Sequence, residues 1–320
     1  MHSACTATDP NRIPIVPKKR KNKDALPEWP VDPQDLIYDQ PGQFSIEAAP
    51  NRIEPVYESK KDYRRQLAQM VERIDELQAI MNAQNRYGLL LVFQAMDAAG
   101  KDGTIRRVLT GVNPAGVQVY SFKKPSDEEL DHGYLWRIIQ RMPERGRIGV
   151  FNRSYYEEVL VVRVHPEILT DYQRLPEELV SDTQAVFDYR YSEIRNFETY
   201  AARNGIRVLK FFLNVSRDEQ RSRLISRLNR PEKNWKFSFA DVKERGYWDD
   251  YQQAFEDCIN ETACPLAPWA VIPADDKLNM RLLTTRLVLR ELEKMNLSWP
   301  TADDRLAAEK DAIRAQLADD

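Results

Sequence analysis

From Lys61 onward, apolar residues fall at three- and four-residue steps: Tyr63, Leu67, Val71, Ile74, Leu77 and Met81. That spacing leaves one face apolar and predicts an amphipathic helix. The next segment changes character. "YGLLLVF" (87–93) is apolar without interruption, which suits a strand buried on both faces at the centre of a parallel sheet. Shorter apolar runs follow at 117–122 (VQVYSF), 148–151 (IGVF), 208–213 (VLKFFL) and 269–272 (WAVI). Helical patterns separate them, around 127–141, 178–203, 216–229, 240–261 and 276–295. Strands alternating with helices predict an α/β fold, a three-layer sandwich around a central parallel sheet. Right-handed crossovers then bring every strand's C-terminal end to one edge, where ligands bind. There is no internal repeat. Residues 1–55 read as a partly irregular N-terminal extension, 56–297 as the main domain and 298–320 as a C-terminal tail.

Composition narrows the class. The chain of 320 residues is 42% hydrophobic and 10% aromatic, which marks a globular protein with a substantial core. Its net charge of −3 is the near-cancellation of 47 basic and 50 acidic residues, so local patches decide which ions it attracts. Cys5, Cys258 and Cys264 form no CxxC pair, and His2, His132 and His165 are scattered. This argues against a zinc site or a disulfide framework and for reduced thiols in a cytoplasmic protein. No apolar run nears the roughly 18–20 residues of a membrane span, and the N-terminus lacks an apolar signal core. The basic run "KKRKNK" at 18–23 reads first as part of a solvated arm; a nuclear import signal is the sharper alternative.

Candidate chemistry starts where the first strand ends, in "FQAMDAAGKDGTIRRV" (93–108). Strand, Gly-containing loop, Lys, helix is the context of a phosphate-binding loop. Backbone N–H groups at the helix start, from Ala98, Ala99, Gly100 and Gly103 to Thr104, would hold phosphate oxygens, with Lys101 as a mobile cation. The strict pattern fails twice: Ala95 replaces its first Gly, and Asp102 replaces its Ser or Thr. Two carboxylates, Asp97 and Asp102, therefore sit where a polyanion binds. They have a rationale as Mg²⁺ ligands, because Mg²⁺ takes one or two carboxylates plus phosphate oxygens and water. The plainer readings are a tight turn with Lys101 in solvent, and Asp102 as an acid beside a helix N-terminus.

A second basic feature is the segment Arg217, Arg221, Arg223, Arg227, Arg230, Lys233 and Lys236. On a helical projection Arg223, Arg227 and Arg230 share one side, and Leu224, Ile225 and Leu228 another. Pro231 is expected to end the helix. A cationic helix flanked by a loop suits a lid over phosphates; taken alone, it reads first as a solvated face paired with Asp218, Glu219 and Glu232. Lys123 and Lys124 follow the second strand and could reach the ligand edge or form a solvated turn. Asp127, Glu128 and Glu129 fit a ribose or base contact as well as an acidic first helical turn. Trp235, Tyr247 and Trp248 could stack on a base or pack the core. His165 reads as structural, and 191–200 as a core-facing helix.

Taken in order, "VFQAMDAAGKDGTI", "GVNPAGVQVYSFKKPSDEE", "GYLWR", "GRIGVFNRSYYE" and "NWKFS…DVKERGYWDDY" resemble the polyphosphate kinase type 2 family over about residues 55–297. The resemblance implies a P-loop kinase fold like that of thymidylate kinases, with a helical lid at about 217–250. It also implies Mg²⁺-dependent phosphoryl transfer between inorganic polyphosphate and nucleotides, with Mn²⁺ as the alternative metal. By position, Asp97 matches the family's metal-binding and catalytic acid, Lys101 its phosphate lysine, and Arg153 the Arg of its second acidic-basic motif. That motif is often "DRS"; here it is "NRS", Asn152-Arg153-Ser154, so the metal burden shifts to Asp97. The "FNRSYYE…VLVVRVH" form resembles members that phosphorylate both AMP and ADP. We therefore expect Lys123, Arg223, Arg227, Arg230 and Lys233 to bind phosphates, adenine or guanine nucleotides as partners, a homo-oligomer, and neither nucleic acid nor membrane binding. Two rivals remain: a nucleoside monophosphate kinase with ATP as donor, and a non-catalytic polyphosphate or nucleotide binder.

Overall fold

The computed structural model describes residues 27–235, 237–301 and 304–318; the basic run at 18–23, Lys236, Cys5 and His2 lie outside them. Six strands form one sheet in the order β1-β6-β5-β2-β4-β3: β1 (Ile37–Tyr38), β2 (Gly88–Gln94), β3 (Val117–Ser121), β4 (Ile148–Asn152), β5 (Ile206–Asn214) and β6 (Trp269–Pro273). The five strands expected from apolar runs are mutually parallel. The sixth, β1, comes from the N-terminal segment and pairs antiparallel with β6, Ile37 opposite Ala270. The sheet is therefore mixed. A two-residue strand has no periodicity to read, and β1 owes its place to a partner more than 200 residues later in the chain.

All seven residues of β2 are buried, between β5 and β4. Each such aliphatic side chain contributes about 1.5–3 kcal/mol on burial. β3, at the edge, is only half buried and stops at Ser121. Phe122, just beyond it, is buried edge-on against Phe151, with ring centroids 4.9 Å apart.

The principal helices are α1 (Lys60–Gln84), α2 (Lys101–Leu109), α3 (Thr183–Arg203), α4 (Arg217–Leu228), α5 (Trp248–Thr262) and α6 (Lys277–Lys294). Three expected helices are broken. Gly133 lies between short turns at Asp127–Leu130 and Trp136–Ile139. Asp182 restarts the chain as the α3 N-cap, accepting from the amides of Gln184 and Ala185. A 3₁₀ turn, Arg245–Tyr247, divides Phe239–Glu244 from α5. Pro231 follows α4, but it also opens a further turn, Pro231–Asn234, because proline is tolerated at a first helical position. The segment after 298 carries a helix, Asp304–Ala318. No helix among the described residues is long and apolar enough to cross a membrane.

One feature of the core was not legible from patterns. Lys210 of β5 and Glu198 of α3 form a fully buried ion pair at 2.8 Å. Lys210 also donates to Tyr156 Oη and to the Thr262 carbonyl. Glu198 accepts from both Tyr155 and Tyr156. The stretch 191–200 thus does more than present an apolar face.

Candidate active site

β2 delivers the chain to the sheet edge at Gln94, and the loop 95–100 turns it into α2. The turn needs unusual backbone: Ala98 has φ 62° and Gly100 φ 109°. Glycine adopts that region freely, alanine at a cost, and such residues cluster where a loop must hold one shape for a ligand. Lys101 is the first residue of α2, and its ammonium folds back onto the Ala95 carbonyl at 2.6 Å. Burial of that ammonium, and then Arg153 beside it, lower its pKa to about 8.

Arg153 follows β4 with φ 63°. Its guanidinium donates to Asp97 at 2.8 Å and to Glu157 at 3.1 Å. Glu157 foremost, and Asp97 after it, hold Arg153 in its charged form against burial that opposes it. Asn152 Nδ2 donates to Asp102 Oδ1 at 2.9 Å, so the neutral residue of "NRS" orients the second carboxylate. Gln220 of α4 donates to the Asp97 carbonyl at 3.0 Å.

A cleft of about 600 Å³ opens at the C-terminal ends of the parallel strands. The cleft brings together Asp97, Ala98, Ala99, Gly100, Lys101, Asp102, Gly103, Lys123, Arg153, Arg223, Arg227 and Lys233. Two residues of the sequence reading stay outside its lining. Thr104 is buried and turns its hydroxyl to the Gly100 carbonyl; Arg230 is exposed, preceding Pro231.

Arg223 requires a correction. It is 6% exposed, and all five N–H donors are engaged: Nε with Glu219, Nη1 with the carbonyls of Ala98 and Ala99, Nη2 with those of Ala274 and Asp275. With no donor left for a phosphate, it clamps the loop after β2 to the loop after β6 and supplies only its charge. The helical projection of α4 also misjudged its apolar side. Leu224 is buried, whereas Ile225 and Leu228 are each 49% exposed, because the helix packs through Gln220, Arg223 and Leu224 onto loops rather than onto the core.

Sequence reasoning missed Asp241 and Lys277 in the same cleft. Asp241 pairs with Arg227 at 2.8 Å; burial, then the nearby Asp97 charge, raise its pKa. Lys277 is lowered by burial and then by Arg223. Asp241 opens the segment DVKERGYWDDY, where nothing in the pattern marks it as a cleft residue, and Lys277 lies outside the quoted motifs, though its place shortly after a strand end was a readable cue. The remaining candidates fall mostly into structural roles. Glu129 and Ser126 form a capping box. Trp248 is buried, Tyr247 packs against His165, and His165 bonds Glu244 at 2.9 Å. Trp235, 77% exposed, lines the cleft, and Lys124 lies 4.2 Å over the Tyr172 ring.

A second cavity of about 340 Å³ adjoins the first, sharing Phe122, Lys123 and Arg153. Leu130, Val161, Ile168 and Tyr172 give it an apolar wall, and Lys124, Arg137, Glu157, Glu158 and Gln173 supply polar groups. Gln173 is held between Glu158 and buried Arg190.

The family model for polyphosphate kinase 2 matches residues 57–300. An ADP-polyphosphate phosphotransferase of Rhodopseudomonas palustris is 50% identical over 268 residues, covering 84% of this chain and 92% of the relative. An AMP/ADP-polyphosphate phosphotransferase of Meiothermus ruber is 44% identical, covering 76% and 87%. The crystal structure of polyphosphate kinase 2 from Arthrobacter aurescens superposes with a TM-score of 0.80 at 37% identity, covering 91% of this chain and 99% of that one. A matched segment of this extent, and relatives this similar along most of both chains, place the protein in the polyphosphate kinase 2 family.

Proposed function

We propose that this polyphosphate:nucleotide phosphotransferase accepts ADP and AMP, works with Mg²⁺, and closes the segment 217–250 over its donor as a lid. The observation that carries the reading is the convergence of Asp97, Lys101 and Arg153 in one cleft whose lining continues onto Arg227 and Lys233. The relatives named as acting on ADP and on AMP/ADP support it. The smaller cavity beyond Lys123 and Arg153 suits a nucleoside, and the larger cleft suits the phosphates.

The donor set fits a hard cation. Asp97 and Asp102 offer carboxylate oxygens to the cleft, and no group of three or more His, Cys, Asp or Glu among the described residues forms a cage. That matches Mg²⁺, which fills its shell with phosphate oxygens and water. When bound, the ion neutralises charge between donor and acceptor phosphates. The chain's own groups do the positioning. First-turn amides of α2 have no intrahelical partner and face phosphate oxygens. Lys101 exchanges the Ala95 carbonyl for a phosphate. Arg153, fixed by Asp97 and Glu157, meets the charge of the transferring group. An acceptor phosphate is already anionic at neutral pH, so no general base is required.

We place the kinase domain at 56–297, with 1–55 as an extension that lends β1 to the sheet and 298–320 as a tail. Free Cys258 and Cys264 support a reducing, cytoplasmic setting. Exposed Tyr189 and Tyr200 on one face of α3 support a homo-oligomer. The test supplies long-chain polyphosphate and Mg²⁺ with ADP or with AMP, then ATP with AMP alone. We expect ATP from ADP and ADP from AMP. Faster product from ATP and AMP without polyphosphate favours the monophosphate kinase reading; tight binding without turnover favours the non-catalytic one.

A further inference from the structure

Behind the loop lies another cavity, of about 560 Å³, between α1, the C-terminal half of α2 and the start of α6. Lys60, Arg64, Arg107 and Arg281 line it. None of these four side chains forms an ion pair or hydrogen bond with a described residue. Glu72 and Asp75 are the carboxylates at the same cavity, and Asp75 is occupied by the Asn113 amide at 2.8 Å. The site is therefore cationic, four against two. It also contains unmet polar atoms. Tyr63, 7% exposed, has no hydrogen-bond partner for its hydroxyl among the described residues, and neither does Arg281 Nε. Buried donors left open in this way are rare in folded proteins and point to something that binds there.

The cavity adjoins the cleft across the first turns of α2 and α6. Arg281 Nη2 would lie 3.5 Å from a Cβ placed on Gly103, in the first turn of α2. Lys277, one turn earlier on α6, lines the cleft itself. One turn further along α2 from Gly103 comes Arg107. Cations thus follow one another from the cleft, past Lys277 and Arg281, to Arg107, Arg64 and Lys60. Lys277 faces Glu219 at 4.0 Å; the other four guanidinium and ammonium groups have no such partner among the described residues, and the run matches a ligand with charge at every unit along its length.

We propose that this groove is a second phosphate-chain site, in which Lys60, Arg64, Arg107 and Arg281 hold the stretch of polyphosphate that runs out of the cleft past Lys277. The proposal rests on polyphosphate being the donor. Because polyanion affinity grows with the number of cation contacts, the groove favours long chains over short ones.

The test is equilibrium binding to the full chain, with long-chain polyphosphate and with tripolyphosphate as probes. The variant is Arg64→Ala/Arg107→Ala, both exposed positions, and thermal unfolding checks that it folds. A control of equal charge, Arg145→Ala/Arg203→Ala, removes two exposed arginines elsewhere. Arg64→Ala/Arg107→Ala is expected to weaken long-chain binding about tenfold while tripolyphosphate shifts less than about twofold, with the control close to wild type. If the groove instead takes a separate phosphate chain, wild type binds a second equivalent of tripolyphosphate that the variant loses; the site then stands and the continuous-chain path does not. Equal losses for both probes at one equivalent, or losses matched by the control, overturn the proposal. A wild type that binds polyphosphate without turnover overturns the function and leaves this test intact.

Discussion

Lys101 shows how much one side chain's surroundings decide. Its pKa near 8 reflects an ammonium enclosed by the loop and facing Arg153. Bound phosphate would restore favourable charge and raise that value. Binding then favours the protonated form, so phosphate affinity is full below the free pKa and falls as pH rises through it. Calorimetry in buffers of different ionisation enthalpy should show proton uptake at a pH of about 8.5 and almost none at about 6.5; equal uptake at both would place the titrating group elsewhere. Arg223 makes a different claim, about geometry. Its five donors reach four carbonyls and a carboxylate, which a lysine cannot match. We expect Arg223→Lys to lose about 2–3 kcal/mol in denaturant unfolding, and a variant as stable as wild type would show that the clamp is idle.

At the scale of elements, the site is held by segments that need each other's side chains. The loop after β2 keeps Ala98 at φ 62°. Ala98→Gly should be close to neutral in stability, and Ala98→Val should cost about 1–2 kcal/mol, because a β-branched residue resists that backbone region; chemical unfolding of the pair reads the difference. α3 is tied to β5 through Lys210 and Glu198, both fully buried. Lys210→Met strands the carboxylate and should cost about 3–5 kcal/mol in unfolding free energy. Adding Glu198→Gln should recover part of that, and a single variant near wild-type stability would mean the pair is not the tie. Neither feature shows in a hydrophobic pattern. The pattern gives a segment its buried face; it says nothing about a charged residue that faces inward with a partner.

Over the whole molecule, the parallel core was legible because buried strands carry continuous apolar runs, as 87–93 does. The loop was legible because its parts are adjacent in sequence: strand, Asp97, Gly100, Lys101, helix. What stayed hidden lies far apart along the chain. Gln220 meets Asp97 across 123 residues, Asp241 and Lys277 enter the cleft from separate helices, and β1 joins the sheet by tertiary contact alone. Arg223 was visible as a cation, but sequence could not show that its donors are spent on backbone carbonyls. On the proposed mechanism, Asp97, held beside Arg153 and Lys101, lets two polyanions exchange a phosphoryl group. The most direct measurement is the rate at which purified Asp97→Asn makes ATP from polyphosphate and ADP. We expect a fall of about 10³-fold or more with unfolding temperature close to wild type; near-normal turnover in a folded variant would contradict the account.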